Sequence, residues 1–277
     1  MGMMRLPFFH PTARIQIYPD LFTEKEKEKH MKLTFLGTSH GVPAADRFCS
    51  CAMLEVNGAH YLIDCGAPAA DLLIRRGIPY TALRAIFTTH AHGDHTNGLL
   101  HLCDLSNWKF KDASYDVFLT EQALADALKT MIAIQDTVLD EQRIRLHVIG
   151  AGPVYSDENL SVTAVPTRHM EHAGRPSYSY IIECEGKRLI FTGDLHGQDA
   201  ADFPAAAKAE PSDLIVCEMA HFSHEVAFSH LKDCPTKRVF FNHVWYNYEQ
   251  SMAGIEAAKG RYPFEVLAVA DNDEFIL

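Results

Sequence analysis

The sequence predicts one globular domain of mixed α/β class. From residue 31 onward, short runs rich in β-branched and aromatic residues alternate with stretches of helical periodicity. Several of the short runs follow one another closely, as in hairpins, so one simple doubly wound sheet would not accommodate them all. The chain has 277 residues, 47% of them hydrophobic and 22% charged, which is enough to bury a large core.

The expected elements follow from these runs in chain order. Strands are predicted at Met31–Leu36, Ala52–Val56, Ala59–Ile63, Arg84–Thr88, Asp116–Leu119, Leu160–Val165, Tyr178–Glu183, Arg188–Thr192, Leu214–Cys217 and Arg238–Asn242. Helices are predicted at Pro68–Arg76, Asn97–Leu105, Glu121–Ile134 and Glu249–Lys259. Residues 1–30 look appended to a domain spanning 31–277. We expect them to form either an arm that packs on the partner subunit of a homodimer or a surface segment.

Charge and composition narrow the choice of partners and compartment. Acidic residues outnumber basic ones by 36 to 25, and the net charge of -11 disfavours a nucleic acid partner. No apolar run approaches the roughly 20 residues that a membrane-spanning helix needs. Met1–Arg14 also lacks the features of a signal peptide, so we expect a cytoplasmic protein that does not bind membranes. The seven cysteines suit reduced, buried thiols better than a disulfide framework.

Residues that can bind metal follow four of the predicted strands. They are His90, His169, Asp194 and His243. Because the carboxyl ends of strands line the functional crevice of α/β folds, these side chains can converge. The densest stretch is His90-Ala91-His92-Gly93-Asp94-His95, in which alternate residues of an extended loop point the same way. His90 and His92 can therefore hold one metal, with Asp94 and His95 turning off to a second position before a helix that begins near Asn97. Imidazole and carboxylate ligands without thiolate are typical of a hydrolytic centre.

Six ordered motifs carry a resemblance to a known superfamily. They are Phe35-Leu36-Gly37-Thr38-Ser39-His40-Gly41-Val42-Pro43, Leu62-Ile63-Asp64-Cys65-Gly66, Thr89–His95, His169, Thr192-Gly193-Asp194 and Asn242-His243. With these motifs the chain resembles the metallo-β-lactamase superfamily, and within it the ribonuclease Z and phosphodiesterase branch. The resemblance implies a four-layer αββα sandwich of two mixed β-sheets flanked by helices. It leaves the substrate open, because one metal platform serves several kinds of bond.

The resemblance also implies a role for each ligand. His90, His92 and His169 would hold the first of two divalent ions, Asp94, His95 and His243 the second, and Asp194 would bridge them. Asp64 would brace the ligand loop rather than bind metal. Zinc suits these ligands best, although manganese and iron tolerate the same set. Cys49 and Cys51 are either part of a further zinc site or buried strand cysteines.

An additional histidine is expected to assist catalysis. Phosphodiester-cleaving members of the branch carry one after a strand and at the head of a helix, where it stabilises the transition state or protonates the leaving oxygen. Here Leu214–Cys217 is followed by Glu218-Met219-Ala220-His221-Phe222-Ser223-His224. The pattern selects His221, with His224 as the alternative, and His221 and Asp94 are the expected catalytic residues.

The function implied is that of a dinuclear metal-dependent hydrolase. We expect it to cleave a small phosphodiester, either a cyclic nucleotide or a cyclic sugar phosphate, by attack of a metal-bound hydroxide. Long-form ribonuclease Z enzymes grip tRNA with an inserted arm, but only a hairpin's worth of residues separates His169 from Asp194. Arg168 and Arg175 are candidates to pair with phosphate, and Trp245 and Tyr246 to wall the pocket. Two alternatives remain: a hydrolase of a thioester, lactone or lactam on the same site, and a non-catalytic metal-binding sensor or scaffold.

Overall fold

The computed structural model describes residues 31–277, so the predicted extension, residues 1–30, lies outside the described residues. The strands are β1 Met31–Gly37, β2 Cys51–Val56, β3 Ala59–Ile63, β4 Leu83–Phe87, β5 Tyr115–Leu119, β6 Ile144–Val148, β7 Gly152–Ser156, β8 Leu160–Thr167, β9 Ser177–Cys184, β10 Lys187–Phe191, β11 Leu214–Met219, β12 Arg238–Val244, β13 Glu265–Ala268 and β14 Glu274–Ile276. The helices are α1 Ala69–Arg75, α2 Gly93–Trp108, α3 Gln122–Ile134, α4 Ala206–Ala209, α5 His224–Leu231 and α6 Tyr248–Ala258. Short 3₁₀ helices lie at Tyr80–Ala82 and Glu171–Ala173.

The strands form two seven-stranded mixed sheets. The first has the order β14-β1-β2-β3-β4-β5-β6 and the second the order β13-β12-β11-β10-β9-β8-β7. Strands β3 to β6 run parallel to one another, as do β10 to β13. In the second sheet β9 runs antiparallel to both β8 and β10. The carboxyl ends of β8, β10 and β12 therefore reach the same edge.

Three apolar clusters fill the spaces between the four layers of the fold. One lies between the sheets and contains large buried rings, among them Phe35, Tyr61, Phe87, Tyr180 and Phe240. A second packs α1 to α3 on the outer face of the first sheet, and a third packs α5 and α6 on the outer face of the second. Because each sheet has one face toward the other and one face under helices, its strands are apolar on both sides. The expected αββα sandwich is confirmed.

Several element boundaries differ from the prediction. Strands β6, β7, β13 and β14 and the short helices α4 and α5 were not predicted. The four strands lie at sheet edges and mix exposed polar residues with apolar ones. Helix α2 begins at Gly93 and not near Asn97, so the prediction placed its start one turn too late. Among residues 31–277, no helix has both the length and the apolar character needed to cross a membrane.

Candidate metal centre

The predicted ligands lie at one edge of the sandwich, where three contacts join the two sheets. The amide of Tyr178 donates to the carbonyl of Thr89 at 2.8 Å, and the hydroxyl of Tyr180 donates to the carbonyl of Thr88 at 2.6 Å. On the other side, the amide of His243 donates to the carbonyl of Thr38 at 3.0 Å. These bonds fix the loop after β4 and the end of β12 against the opposite sheet.

The start of α2 supplies two of the side chains. Since this helix begins at Gly93, Asp94 and His95 stand in its first turn and not in a loop before it. A carboxylate in the first turn is favoured by the partial positive charge at a helix N-terminus. The amide of Cys65 donates to the carbonyl of His95 at 2.8 Å, which ties this turn to the loop after β3.

Asp194 lies at the centre of the cluster. Its carboxyl group is 4% exposed, and Oδ2 faces imidazoles from both sheets. The distances from this oxygen to Nε2 are 3.7 Å for His90, 3.6 Å for His95, 3.7 Å for His169 and 3.5 Å for His243. One oxygen within reach of four imidazoles is in the position that a bridging carboxylate would need.

The donor atoms form two groups that could each hold a metal ion. One consists of His90, His92, His169 and Asp194, and the other of Asp94, His95 and His243. Within each group the ligand atoms lie within 4.8 Å of one another. In the first group, Nδ1 of His92 lies 2.9 Å from Nε2 of His90 and 3.2 Å from Nε2 of His169. Three imidazole nitrogens thus converge on one point. They do not have three hydrogen-bond acceptors opposite them, so a cation between them would suit all three.

In the second group, a buried nitrogen also indicates a site for a cation. Within residues 31–277, Nε2 of His95 is buried and makes no hydrogen bond, although Oδ2 of Asp94 lies 3.3 Å away. Buried polar atoms are nearly always bonded, so such an exception calls for an explanation. A bound cation would explain it, and the residues present fit a divalent metal.

Asp64 hydrogen-bonds to the loop and the helix turn that carry the predicted ligands. Its Oδ2 accepts a hydrogen bond from Nδ1 of His95 at 2.7 Å, and its Oδ1 accepts one from the amide of Thr89 at 2.7 Å. Because Nδ1 of His95 is bonded to Asp64, Nε2 is the ring atom that faces the cluster. Asp64 and His243 have φ angles of 61° and 55°, a conformation that non-glycine residues rarely adopt. Such backbone outliers collect at functional sites.

The charges of the cluster are strongly coupled. Burial alone would raise the pKa of Asp194, but the charges of His243, His95 and His90 outweigh it and hold that pKa well below its ordinary value. Burial also favours neutral His95, yet the carboxylates of Asp64 and Asp194 raise its pKa well above the usual range. Burial and the charge of His95 lower the pKa of His90, which keeps its imidazole neutral and able to bind metal.

His221 faces this cluster and is held there by a residue that the sequence did not single out. Glu218, at 2% exposure, accepts a hydrogen bond from Nδ1 of His221 at 2.9 Å. Nε2 of His221 lies 3.9 Å from Oδ2 of Asp194, and its ring centroid lies 4.6 Å from that of His169. Burial lowers the pKa of His221, but the hydrogen bond and charge of Glu218 outweigh it and raise that pKa to about 9. The only sequence signal for Glu218 was an acidic residue near the end of the apolar strand β11.

His224, the alternative to His221, lies away from the cluster. It is the first residue of α5, and its Nε2 lies 3.2 Å from Oε1 of Glu225. Its ring packs on Gly254 of α6, where an added Cβ would lie 2.1 Å from Cδ2 of the ring. The geometry therefore favours His221 over His224 for any reaction at the metals.

The remaining predicted residues occupy the rim or the core. Arg168 and Arg175 form exposed ion pairs, Arg168 with Glu171 at 2.7 Å and Arg175 with Glu121 at 2.6 Å. Trp245 lies at the rim and is 56% exposed. Cys49 and Cys51 are buried free thiols, and neither belongs to a candidate metal group of the described residues.

A family model described as Anti-Pycsar protein Apyc1 matches residues 31–265. Among curated relatives, the ribonuclease Z of Acaryochloris marina is 32% identical over 158 residues, which are 56% of this chain and 48% of that protein. The ribonuclease Z of Pseudomonas putida strain W619 is 38% identical over 141 residues, 50% of this chain and 43% of that protein. The chain thus spans about half the length of the curated relatives it matches.

Solved structures share the fold at low identity. The metallo-β-lactamase fold protein YhfI from Bacillus subtilis has a TM-score of 0.71 at 17% identity, covering 90% of this chain and 100% of that chain. The short form of human tRNase Z has a TM-score of 0.68 at 20% identity, covering 88% of this chain and 98% of that chain. The chain has the metallo-β-lactamase fold, and its relatives support the ribonuclease Z-like branch. The histidine and aspartate groups support the use of divalent metal.

Proposed function

The chain belongs to the Anti-Pycsar protein Apyc1 family, and on that premise we propose that it is a divalent-metal-dependent phosphodiesterase acting on a small cyclic phosphodiester such as a cyclic nucleotide. The observation that carries the proposal is the Glu218–His221 pair beside Asp194. It adds a proton donor to the seven candidate metal-binding side chains, and a phosphodiester needs one because its leaving oxygen would otherwise depart as an alkoxide.

The cluster would hold two ions, and Asp194 would be a ligand available to both. His90, His92 and His169 would hold one ion and Asp94, His95 and His243 the other, with zinc the preferred metal and manganese or iron as alternatives. When bound, a pair of divalent ions lowers the pKa of water and neutralises charge that develops on phosphoryl oxygens. The chain's own contribution is to fix the two positions through Asp64 and the joined sheet edges.

His221 would then deliver the proton to the leaving oxygen. Its Nδ1 is bonded to Glu218, so Nε2 is the atom that faces the cluster and can donate. Glu218 is itself fixed, since Oε1 accepts a hydrogen bond from the amide of Leu195 at 2.9 Å and Oε2 one from the amide of Ala220 at 2.6 Å. A general acid held in this way needs no rearrangement during the reaction.

Three features favour a small substrate over RNA. The net charge is -11, which repels a polyphosphate. The connection from His169 to Asp194 holds only a short 3₁₀ helix and the β9–β10 hairpin, without an inserted arm. The flanking Arg168 and Arg175 are already paired with carboxylates. The names of other structural neighbours, a diphosphatase of the PhnP family and yeast PDE1, fit phosphoester chemistry.

A substrate panel tests the proposal. Protein of measured metal content would be assayed with bis-p-nitrophenyl phosphate, a cyclic nucleotide, a precursor tRNA, a thioester and nitrocefin. We expect turnover of the first two. Turnover confined to the thioester or nitrocefin would replace the proposal with carboxyl or lactam chemistry, and preferred cleavage of the precursor tRNA would overturn the small substrate.

The His221→Ala variant tests the proton donor. General acids contribute about 10² to 10⁴ in rate, so we expect kcat for the cyclic nucleotide to fall by that range while the metal content stays at the wild-type value. His224→Ala is the matched control, because it removes a neighbouring histidine that does not face the cluster. Equal kcat values for the two variants would remove His221 from the mechanism.

A further inference from the structure

Trp245 presents an exposed indole at the rim of the metal cluster. It follows the predicted ligand His243 by two residues and is 56% exposed, a large exposure for the largest aromatic side chain. The amides of Trp245 and Tyr246 both donate to the carbonyl of Met219, at 3.1 and 3.2 Å. The backbone that carries the indole is therefore fixed to the end of β11, the strand that leads to His221.

One face of the indole is covered by His40. The two ring centroids are 4.0 Å apart with an interplanar angle of 33°, and His40 is only 8% exposed. A Cβ added at Gly41 would lie 3.8 Å from Oδ2 of Asp94, so the backbone next to His40 borders the metal cluster. The stacked pair thus adjoins the candidate metal cluster, and most of the remaining indole surface is open to solvent.

A second contact holds the two rim loops together. The guanidinium of Arg47 lies 4.7 Å from the centroid of the Tyr248 ring, within the range of a cation–π interaction. Nη1 of Arg47 also donates to the carbonyl of Val244 at 3.4 Å. Because Arg47 and His40 come from one loop and their partners from the other, Trp245 is fixed before any ligand arrives.

We propose that the open face of Trp245 is the surface on which the nucleobase of the substrate stacks while its phosphodiester lies at the metals. This inference rests on the proposed phosphodiesterase function and adds a specificity-determining residue to it. An exposed aromatic ring that the protein holds rigid beside a phosphate-processing centre has the chemistry that single-stranded nucleotide sites use. Stacking recognises the face of a base and not its edge, so both purine and pyrimidine nucleotides should bind.

The kinetic test uses Trp245→Ala with a cyclic nucleotide. Base–aromatic stacking changes affinity by about tenfold to a hundredfold, so we expect KM to rise by that factor and kcat to stay within about threefold of wild type. Trp245→Phe should restore most of the affinity because it keeps an aromatic face. An unchanged KM in Trp245→Ala, in protein with the wild-type melting temperature, would overturn the proposal.

A binding test is independent of turnover. The chain has two tryptophans, and Trp108 ends α2 about 20 Å along the helix from His95. In the Trp108→Phe background, the emission of Trp245 alone can be titrated with a nucleoside 5′-monophosphate and with ribose 5-phosphate. We expect saturable quenching by the nucleotide and none by the sugar phosphate. Equal responses to both ligands would overturn the proposal.

The two tests separate this inference from the proposed function. Quenching specific to the base in a protein that hydrolyses no phosphodiester would support the stacking surface and refute the phosphodiesterase. Turnover of phosphodiesters without any effect of Trp245→Ala on KM or of a nucleotide on emission would support the enzyme and refute the stacking surface.

Discussion

At the level of single residues, the proposed proton transfer depends on the pair Glu218 and His221. Oε1 of Glu218 accepts from Nδ1 of His221, and its two oxygens also accept from the backbone amides of Leu195 and Ala220. The hydrogen bond and charge of Glu218 outweigh burial and raise the pKa of His221, which favours the imidazolium. The pair thereby keeps a proton available at Nε2, which lies 3.9 Å from Oδ2 of Asp194.

Replacing Glu218 by Gln should separate the effect of the side chain's charge from the effect of its shape. The variant keeps the side-chain volume but cannot stabilise the imidazolium, so we expect kcat for a cyclic nucleotide to fall by at least about tenfold. Metal content, measured by atomic emission on the purified protein, should remain that of wild type because Glu218 is not among the candidate ligands. A variant that loses its metal while keeping its rate per bound ion would show instead that Glu218 only supports the ligands.

Asp194→Ala should weaken metal binding directly. Oδ2 of Asp194 faces imidazoles of both candidate metal groups, so two bound ions would lose a shared anion in this variant. We expect fewer metal ions per chain and no detectable turnover. Wild-type metal content together with wild-type kcat would contradict the bridging assignment.

At the level of elements, the metal site depends on how closely α2 approaches the loop after β3. The amide of Gly98 donates to the carbonyl of Cys65 at 2.8 Å. A Cβ at Gly98 would lie 2.6 Å from the carbonyl oxygen of Gly66 and 2.7 Å from that of Cys65, both of them backbone atoms that cannot turn aside. A side chain at this position would push away the helix turn that carries Asp94 and His95.

Gly98→Ala tests that dependence. Alanine normally favours a helix over glycine, but here the forced displacement should cost about 1–3 kcal/mol of unfolding free energy and weaken metal binding. Denaturant unfolding and metal titration measure the two effects. Gly150→Ala is the control, because an added Cβ there meets nothing within 4 Å, and it should change stability by less than about 0.5 kcal/mol. Equal behaviour of the two variants would contradict the close approach.

The β7–β8 turn makes a separate prediction about pH. Asp157 accepts hydrogen bonds from the hydroxyls of Tyr61 and Tyr155, at 2.5 and 2.8 Å, and from the amides of Asn159 and Leu160. Burial opposes ionisation of Asp157, but these bonds outweigh it and lower its pKa. The carboxylate therefore stabilises the fold above the pKa of the unfolded chain, and that contribution is lost as the pH falls through the lowered value.

Asp157→Asn should remove part of this loss of folding stability at low pH. We expect the variant to be less stable than wild type at neutral pH, with a difference that shrinks as the pH falls below about 4. Thermal melts across this pH range measure it. A difference that stays constant with pH would show that the turn depends on shape and not on charge.

At the level of the whole molecule, much of the architecture was predictable because each candidate ligand follows an apolar run that marks a strand. The apolar runs before His90, His169, Asp194 and His243 marked strands, and the parallel arrangement brings their ends to one edge. The unpredicted parts are those whose residues depend on tertiary contacts. Glu218 acquires its role only when β11 lies beside β10, and the start of α2 at Gly93 depends on packing against residues 65–66.

As a phosphodiesterase, the molecule should require ions in the His/Asp cluster for activity. Chelator-treated protein would be titrated with zinc or manganese while cyclic nucleotide hydrolysis and bound metal are measured on the same samples. We expect no turnover without metal and a rate that rises with occupancy until about two ions per chain are bound. Full occupancy without phosphodiester hydrolysis, or hydrolysis that survives removal of the metal, would contradict it.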